Sequence, residues 1–301
     1  MKVTVTGATG LLGSALVAAL RSRGDEVTAL SRDPEGAGER LKVPAERWNP
    51  LEEPAPTSAL AGRDAVVNLL GERVNQRWTE RAREAIHASR VAGTRNLVEG
   101  LRAAEPRPAA LVSGSASGFY GSRGEEPIDE EAAPGLDFLA GVCVEWEAAA
   151  RAAESLGMRV CLLRTGVVLA RGGGALAQML PPFRLGVGGP IAGGHQFVPW
   201  IHHDDVVGII LAALDGGPSW EGPLNASSPD PVTNKEFSHA LGRALHRPAI
   251  APVPGFAVRL LYGQMAEIVI GGVRMMPARP LVLGYEFGHL DLDAALRDLL
   301  A

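Results

Sequence analysis

Three glycines at a fixed spacing, Gly7, Gly10 and Gly13, constrain the fold of this chain more than any other feature. They follow a short alternating run from Lys2 to Thr6, in which Val3 and Val5 share one face. They precede Leu12, Leu16, Val17 and Leu20 at helical spacing, and Gly24 closes that helix. Val27, Ala29 and Leu30 then begin a second strand. Strand, glycine turn, helix and strand make a βαβ unit, which implies parallel strands. Gly7 permits the tight turn, Gly10 lets backbone approach a pyrophosphate, and Gly13 lets the helix pack close to the strand. The expected phosphate contacts are Gly7, Thr9, Gly10, Leu11, Leu12 and Gly13, because a helix N-terminus offers free N–H groups and a favourable dipole to an anion.

The end of the second strand selects between two dinucleotides. A carboxylate there would accept from the ribose hydroxyls of NAD. This chain has Ser31 and Arg32 instead. A guanidinium fork with a neighbouring hydroxyl matches a 2′-phosphate, so NADP is the expected cofactor. Asp33 follows directly and keeps NAD as the lesser alternative.

Residues 34 to 64 are rich in Pro, Gly and Glu and read as a loop-rich passage. Ala65 to Gly71 is an apolar run of the kind buried on both faces, and its end supplies Asn68, Leu69, Leu70 and Gly71 as candidate nucleotide contacts. Trp78 to Ala104 reads as a long helix with Arg90 near its middle, facing either crevice or solvent. A fourth strand opens at Leu111 and runs into SGSASGFYG; a helix covers Phe138 to Leu156 and a buried strand Arg159 to Leu169. Residues 171 to 204 are irregular, glycine- and proline-rich chain around a short helix near Ala175 to Leu185. Then come a helix from Asp205 to Leu214 and a strand at Leu224 to Ser227. A capping box, Thr233 to Glu236, opens the next helix, and a last helix spans Asp291 to Leu300. The expected fold is α/β: a Rossmann-type doubly wound parallel sheet with a smaller C-terminal α/β lobe. Residues 1 to 170 form the dinucleotide-binding domain, which also receives segments from about 200 to 228; residues 171 to 301 form mainly the substrate-side lobe.

With 301 residues, 46% of them hydrophobic, the chain can bury a large core. The net charge of −5 and the absence of a basic run argue against nucleic acid. The longest apolar run, Val206 to Leu214, is far short of the about 20 residues that span a bilayer, so no membrane is expected. Two cysteines, Cys143 and Cys161, make no disulfide framework, and the first strand starts at residue 2, leaving no room for a secretory segment. A cytoplasmic protein acting on a small molecule is expected, with a homodimer open as its assembly.

The chain resembles the extended short-chain dehydrogenases/reductases, the NAD-dependent epimerase/dehydratase superfamily. Thr6-Gly7-Ala8-Thr9-Gly10-Leu11-Leu12-Gly13 matches their T-G-x-x-G-x-x-G, Asn68 to Gly71 is similar to their N-L-A-G, and Trp200 to Val206 to their W-I-H-V-D-D-V. A narrower subgroup, the atypical "epimerase family" proteins with a C-terminal domain of unknown function, resembles it over residues 137 to 288 as well. That resemblance implies NADP, with contacts at Ser31, Arg32, Leu69, Leu70, Arg90 and Val167.

Ordinary members of the superfamily move a proton with a tyrosine whose pKa is lowered by a lysine four residues later. No such pair exists here: Tyr120 is followed four residues on by Gly124, Tyr262 by Ala266 and Tyr285 by His289. Aligned through Glu147, the tyrosine position is Leu139 and the lysine position Cys143. Ser115, Tyr120 and His202 remain as candidate catalytic groups, while helix capping accounts for Asp204 and Asp205. No His/Asp set makes a convincing metal site. Phe183, Phe197, Trp200 and Tyr120 are expected to line an apolar pocket. The expected function is an NADP(H)-binding oxidoreductase or nucleotide-sugar-epimerase-like protein; the alternative is a non-catalytic NADP(H)-binding sensor or regulatory protein.

Overall fold

β1 (Lys2–Thr6) buries Val3 and Val5 completely and pairs in parallel with β2 (Glu26–Ser31). Between them α1 (Leu11–Ser22) lays Leu16, Val17 and Leu20 on the sheet. The computed structural model describes the chain throughout, residues 1–301. Next come α2 (Pro34–Leu41), β3 (Ala45–Arg47), β4 (Ala65–Asn68), α3 (Glu80–Ala103) and β5 (Ala110–Ala116). A two-residue strand, β6 (Pro127–Ile128), leads to α4 (Phe138–Arg151), β7 (Arg159–Thr165), β8 (Val167–Ala170) and α5 (Gly174–Arg184). β9 (Phe197–Val198), β10 (Trp200–His202), α6 (His203–Asp215) and β11 (Gly222–Ala226) follow. The tail holds β12 (Val232–Thr233), α7 (Asn234–Ala244), α8 (Gly255–Tyr262), α9 (Ala266–Ile270), β13 (Arg274–Met275), α10 (Ala278–Val282) and α11 (Leu292–Leu300).

Seven strands form one parallel sheet in the order β11-β7-β5-β4-β1-β2-β3. The order reverses between β1 and β4, and in a doubly wound sheet the ligand crevice lies beyond the C-terminal ends of the strands at that point. α1 and α6 cover one face, where Leu16, Val206 and Ile210 belong to one buried cluster. α3 and α4 cover the other, with Leu97, Leu101 and Ala150 packed on Val66, Leu111 and Leu162. A separate core in the lobe joins α5, α7 and α11 through Leu180, Phe183, Phe237, Leu241 and Leu296. No helix is long and apolar enough to cross a membrane.

Four departures from the sequence reading have physical causes. The passage after Arg32 is not all loop: Asp33 caps α2 by accepting from the Gly36 N–H at 3.1 Å, and Pro34 takes the first helical position. The buried run from Arg159 to Leu169 is two strands. At Gly166 a side chain would collide with the Pro199 carbonyl, and β8 leaves the sheet to pair with β10. The cap of α6 is His202, whose Nδ1 accepts from the Asp204 N–H at 3.2 Å. Asp205 instead fastens the tail, its carboxylate accepting from the N–H groups of Gly288 (2.7 Å) and His289 (3.0 Å). The expected aromatic pocket is not formed either: Phe183 and Trp200 belong to the core of the lobe, and Tyr120 to a cluster with Phe119, Ile128 and Met275.

Candidate functional site

The glycine turn has the geometry that its spacing implies. Gly7 has φ +64°, and a Cβ there would collide with the Leu69 carbonyl. A Cβ on Gly13 would strike the Gly7 carbonyl, so only glycine lets α1 sit this close to the end of β1. No side chain accepts from the opening N–H groups of α1, and no acidic residue stands in its first turn. The helix end therefore lacks an acceptor and presents its positive pole. Thr9, Gly10 and Leu11 are exposed there, and Leu12 is half-buried.

At the neighbouring strand end Arg32 is exposed and Ser31 half-buried. The Ser31 hydroxyl accepts from the Asp33 N–H at 3.1 Å and keeps its own hydrogen to donate. Asp33 is the residue that could have taken a ribose, and its carboxylate is committed to capping α2. The strand end is thus left with a guanidinium and a hydroxyl, a set suited to a phosphate.

Beyond β4, Leu69 and Leu70 are half-buried and Gly71 exposed. Asn68 does not face the crevice. It is fully buried, accepting from Thr6 at 2.8 Å and donating to Thr94 at 2.9 Å. Arg90 turns inward from α3: its Nη1 donates to the carbonyls of Glu72 and Ile86, both at 3.1 Å, and its guanidinium lies 5.2 Å from the Trp146 ring. A Cβ on Gly71 would come within 3.0 Å of Nη2, so Arg90 closes against the loop after β4. Burial lowers its pKa, while the nearby Cys143 and Glu72 act the other way. Val167 is half-buried, its N–H donating to the Pro199 carbonyl at 2.7 Å.

Leu139 and Cys143 both face the turn after β5: a Cβ on Gly118 would lie 3.3 Å from the Leu139 Cβ and 3.8 Å from the Cys143 sulfur. Burial pushes the Cys143 thiol up to about 12, which keeps it a neutral thiol at physiological pH.

Ser115 and Tyr120, expected at the crevice, are instead drawn into a buried polar network. The Ser115 hydroxyl donates to Glu147 at 2.7 Å, and Glu147 accepts from Arg164 Nε (2.8 Å) and Nη2 (2.9 Å). Arg164 Nη1 donates to the Tyr120 hydroxyl and to the Glu130 carbonyl, both at 3.0 Å. The Tyr120 hydroxyl donates onward to Asn225 at 2.6 Å. The Glu130 carboxylate accepts from the N–H groups of Asn225 (2.9 Å) and Arg279 (3.1 Å), which ties the network to the tail. Tyr120 is fully enclosed, and burial raises its pKa to about 12. The enclosed phenol thus keeps its proton at neutral pH and donates it to Asn225 in a hydrogen bond. These partners lie 17 to 149 residues apart in sequence, and no local pattern announces them.

His202 is fully buried in a stack of imidazoles, 3.6 Å from the His289 ring and 4.6 Å from His203. Ligand atoms of His202, Asp204 and His289 lie within 4.8 Å of one another. The two stacked rings nevertheless aim their in-plane lone pairs along separate planes, which does not suit a shared ion. Burial, then the neighbouring His289, holds the His202 pKa below the ordinary imidazole value. The unfolded chain takes up that proton near pH 6.5, so the stability contributed by neutral His202 is complete above about 6.5 and is lost as the pH falls below it. The urea midpoint is expected to drop between pH 7.5 and 5.5, and to drop less in His202→Asn, which retains an acceptor for the cap. An unchanged slope in that variant would remove His202 from the account.

The sequence model of the NAD dependent epimerase/dehydratase family matches residues 3–221, and that of a domain of unknown function, DUF1731, matches residues 253–299. The Homo sapiens epimerase family protein SDR39U1 is 40% identical over 306 residues, covering the whole of both chains. The crystal structure of human SDR39U1 (isoform 2) with NADPH superposes with a TM-score of 0.89 at 36% identity, covering 100% of this chain and 99% of that one. The nucleoside-diphosphate sugar epimerase of Corynebacterium glutamicum superposes with a TM-score of 0.79 at 34% identity, covering 100% of this chain and 58% of that one. This chain thus belongs to the NAD-dependent epimerase/dehydratase family, among its members that carry the DUF1731 tail.

Proposed function

We propose that the protein binds NADP(H) and serves as an oxidoreductase for a small carbonyl or hydroxyl compound. The observation that carries this reading is the end of β2: Asp33 is locked as a helix cap while Ser31 and Arg32 stay available. The NADPH in the crystal structure of the human relative supports it. When bound, the cofactor supplies or accepts a hydride. The N–H groups opening α1 hold its pyrophosphate, and Ser31 with Arg32 holds the 2′-phosphate. Leu69, Leu70, Gly71, Arg90 and Val167 border the rest of the crevice. With Leu139 and Cys143 at the positions of the proton relay, the proton comes from another side chain or from water.

Arg32→Ala is expected to weaken NADPH by roughly 10- to 150-fold, the value of one charge-assisted hydrogen bond of about 1.5–3 kcal/mol, and to leave NADH nearly unchanged. Calorimetric titration with both cofactors reads this directly, and equal losses would sink the 2′-phosphate role. The second reading is a sensor that binds cofactor without turnover. The apolar replacements at Leu139 and Cys143 and the consumed hydroxyls of Ser115 and Tyr120 favour it. Consumption of NADPH in the presence of any carbonyl compound would exclude this second reading.

A further inference from the structure

We propose that the substrate is an apolar carbonyl compound rather than a nucleotide sugar, held by an apolar floor and rim beyond the end of β5. The proposal rests on the reading of a cofactor crevice at this sheet edge and names what the crevice takes. Its floor is Leu139, set against Gly118 where the superfamily keeps its tyrosine. Next to it Phe138 meets Trp78 edge-on, with ring centroids 5.3 Å apart. Leu136, in the turn before α4, is fully exposed at 104%, and Gly135 beside it packs on Gly121. From the lobe, Gln264 accepts from Arg83 Nη1 at 3.2 Å, and Arg83 in turn lies over the Phe138 ring at 4.3 Å. That contact brings the end of α8 to the same rim, where Leu261 is 69% and Tyr262 45% exposed. Bulky apolar side chains on two separate segments, joined through the Arg83 contacts, thus stand exposed to water.

The polar groups nearby point to the same chemistry. A sugar ring needs donors and acceptors free to match its hydroxyls. Ser115 is held by Glu147, Tyr120 by Asn225 and Arg164, and the Gln196 amide by the carbonyls of Ile191 and Val269. The hydroxyls of Ser115 and Tyr120 and the Gln196 amide hydrogens are spent on internal bonds, while the apolar side chains are exposed.

The test titrates 2-alkanones of increasing length, from 2-butanone to 2-dodecanone, into protein preloaded with NADPH. Fluorescence of the bound cofactor before any ketone is added checks the cofactor reading by itself. Ketone binding is followed in parallel by tryptophan emission, to which Trp78 contributes, and this works even if NADPH does not bind. Affinity is expected to rise about twofold to fourfold per added methylene, as burial of apolar surface requires. Leu136→Asp and Leu261→Asp alter exposed positions and leave the fold intact; each should flatten the length dependence with NADPH affinity unchanged. A flat series in the unaltered protein, tighter binding of UDP-glucose than of the longest ketone, or no response of the slope to either variant would overturn the proposal.

Discussion

Glu147→Ala is expected to cost about 3–5 kcal/mol of stability, the usual penalty for stranding one partner of a buried ion pair. Glu147 and Arg164 are both about 95% buried, and Glu147 takes two of the guanidinium's hydrogen bonds as well as that of Ser115. Burial alone would lower the pKa of Arg164; the hydrogen bond and charge of Glu147 more than offset this and raise it. Without the carboxylate, a cation that cannot give up its proton is left inside the protein. A domain of this kind has only about 5–15 kcal/mol to lose, so the variant sits near the limit of folding. Urea unfolding followed by circular dichroism measures the loss. Glu147→Leu combined with Arg164→Met should regain much of it, because an apolar pair of similar volume carries no stranded charge. A double variant as unstable as the single one would show that the outer arms of the network, Tyr120 and Glu130, matter more than the ion pair itself.

Gly13→Val is expected to weaken NADPH and NADH alike by roughly 10- to 150-fold, the worth of the charge-assisted contacts to the pyrophosphate. Even the first carbon of the new side chain meets the Gly7 carbonyl, and it stands 2.8 Å from the Ala8 Cα. Helix α1 has to back away from the turn, carrying its open N–H groups out of reach of an anion. Strain of this kind costs about 1–3 kcal/mol of stability, so the variant still folds. The pattern contrasts with Arg32→Ala, which separates the two cofactors: one substitution tests the pyrophosphate, the other the 2′-phosphate. Retained binding in Gly13→Val would mean that α1 does not hold the pyrophosphate at all.

The first βαβ unit was legible because every signal in it is local. The strand, the three glycines and the helical stripe occupy fewer than thirty consecutive residues and agree with one another. α2 was hidden by composition: Pro34, Gly36 and Gly38 suggest loop, although Asp33 before Pro34 is itself the start signal of a helix. The division of β7 from β8 could not be read from an unbroken apolar run, since its cause is the carbonyl of Pro199, far along the chain. The candidate catalytic groups were least legible. Ser115 and Tyr120 stand where a strand end meets a crevice, but their orientation is decided by Glu147, Arg164 and Asn225 on three other elements. The absence of a Tyr-x-x-x-Lys pair, by contrast, is a property of the sequence alone.

The place of β11 at the outer edge of the sheet governs how the protein can be made. It pairs with β7, yet 56 residues, Gly166 to Glu221, with α5 and α6 among them, are synthesised between the two strands. Until residue 226 has left the ribosome, β7 offers a bare row of N–H and C=O groups to any other nascent chain. A fragment ending at Ala170 would hold the complete glycine turn and still be prone to aggregate. Synthesis thus leaves the sheet one strand short after the nucleotide-binding turn is complete, and most of the lobe core, α7 and α11, is translated only after β11.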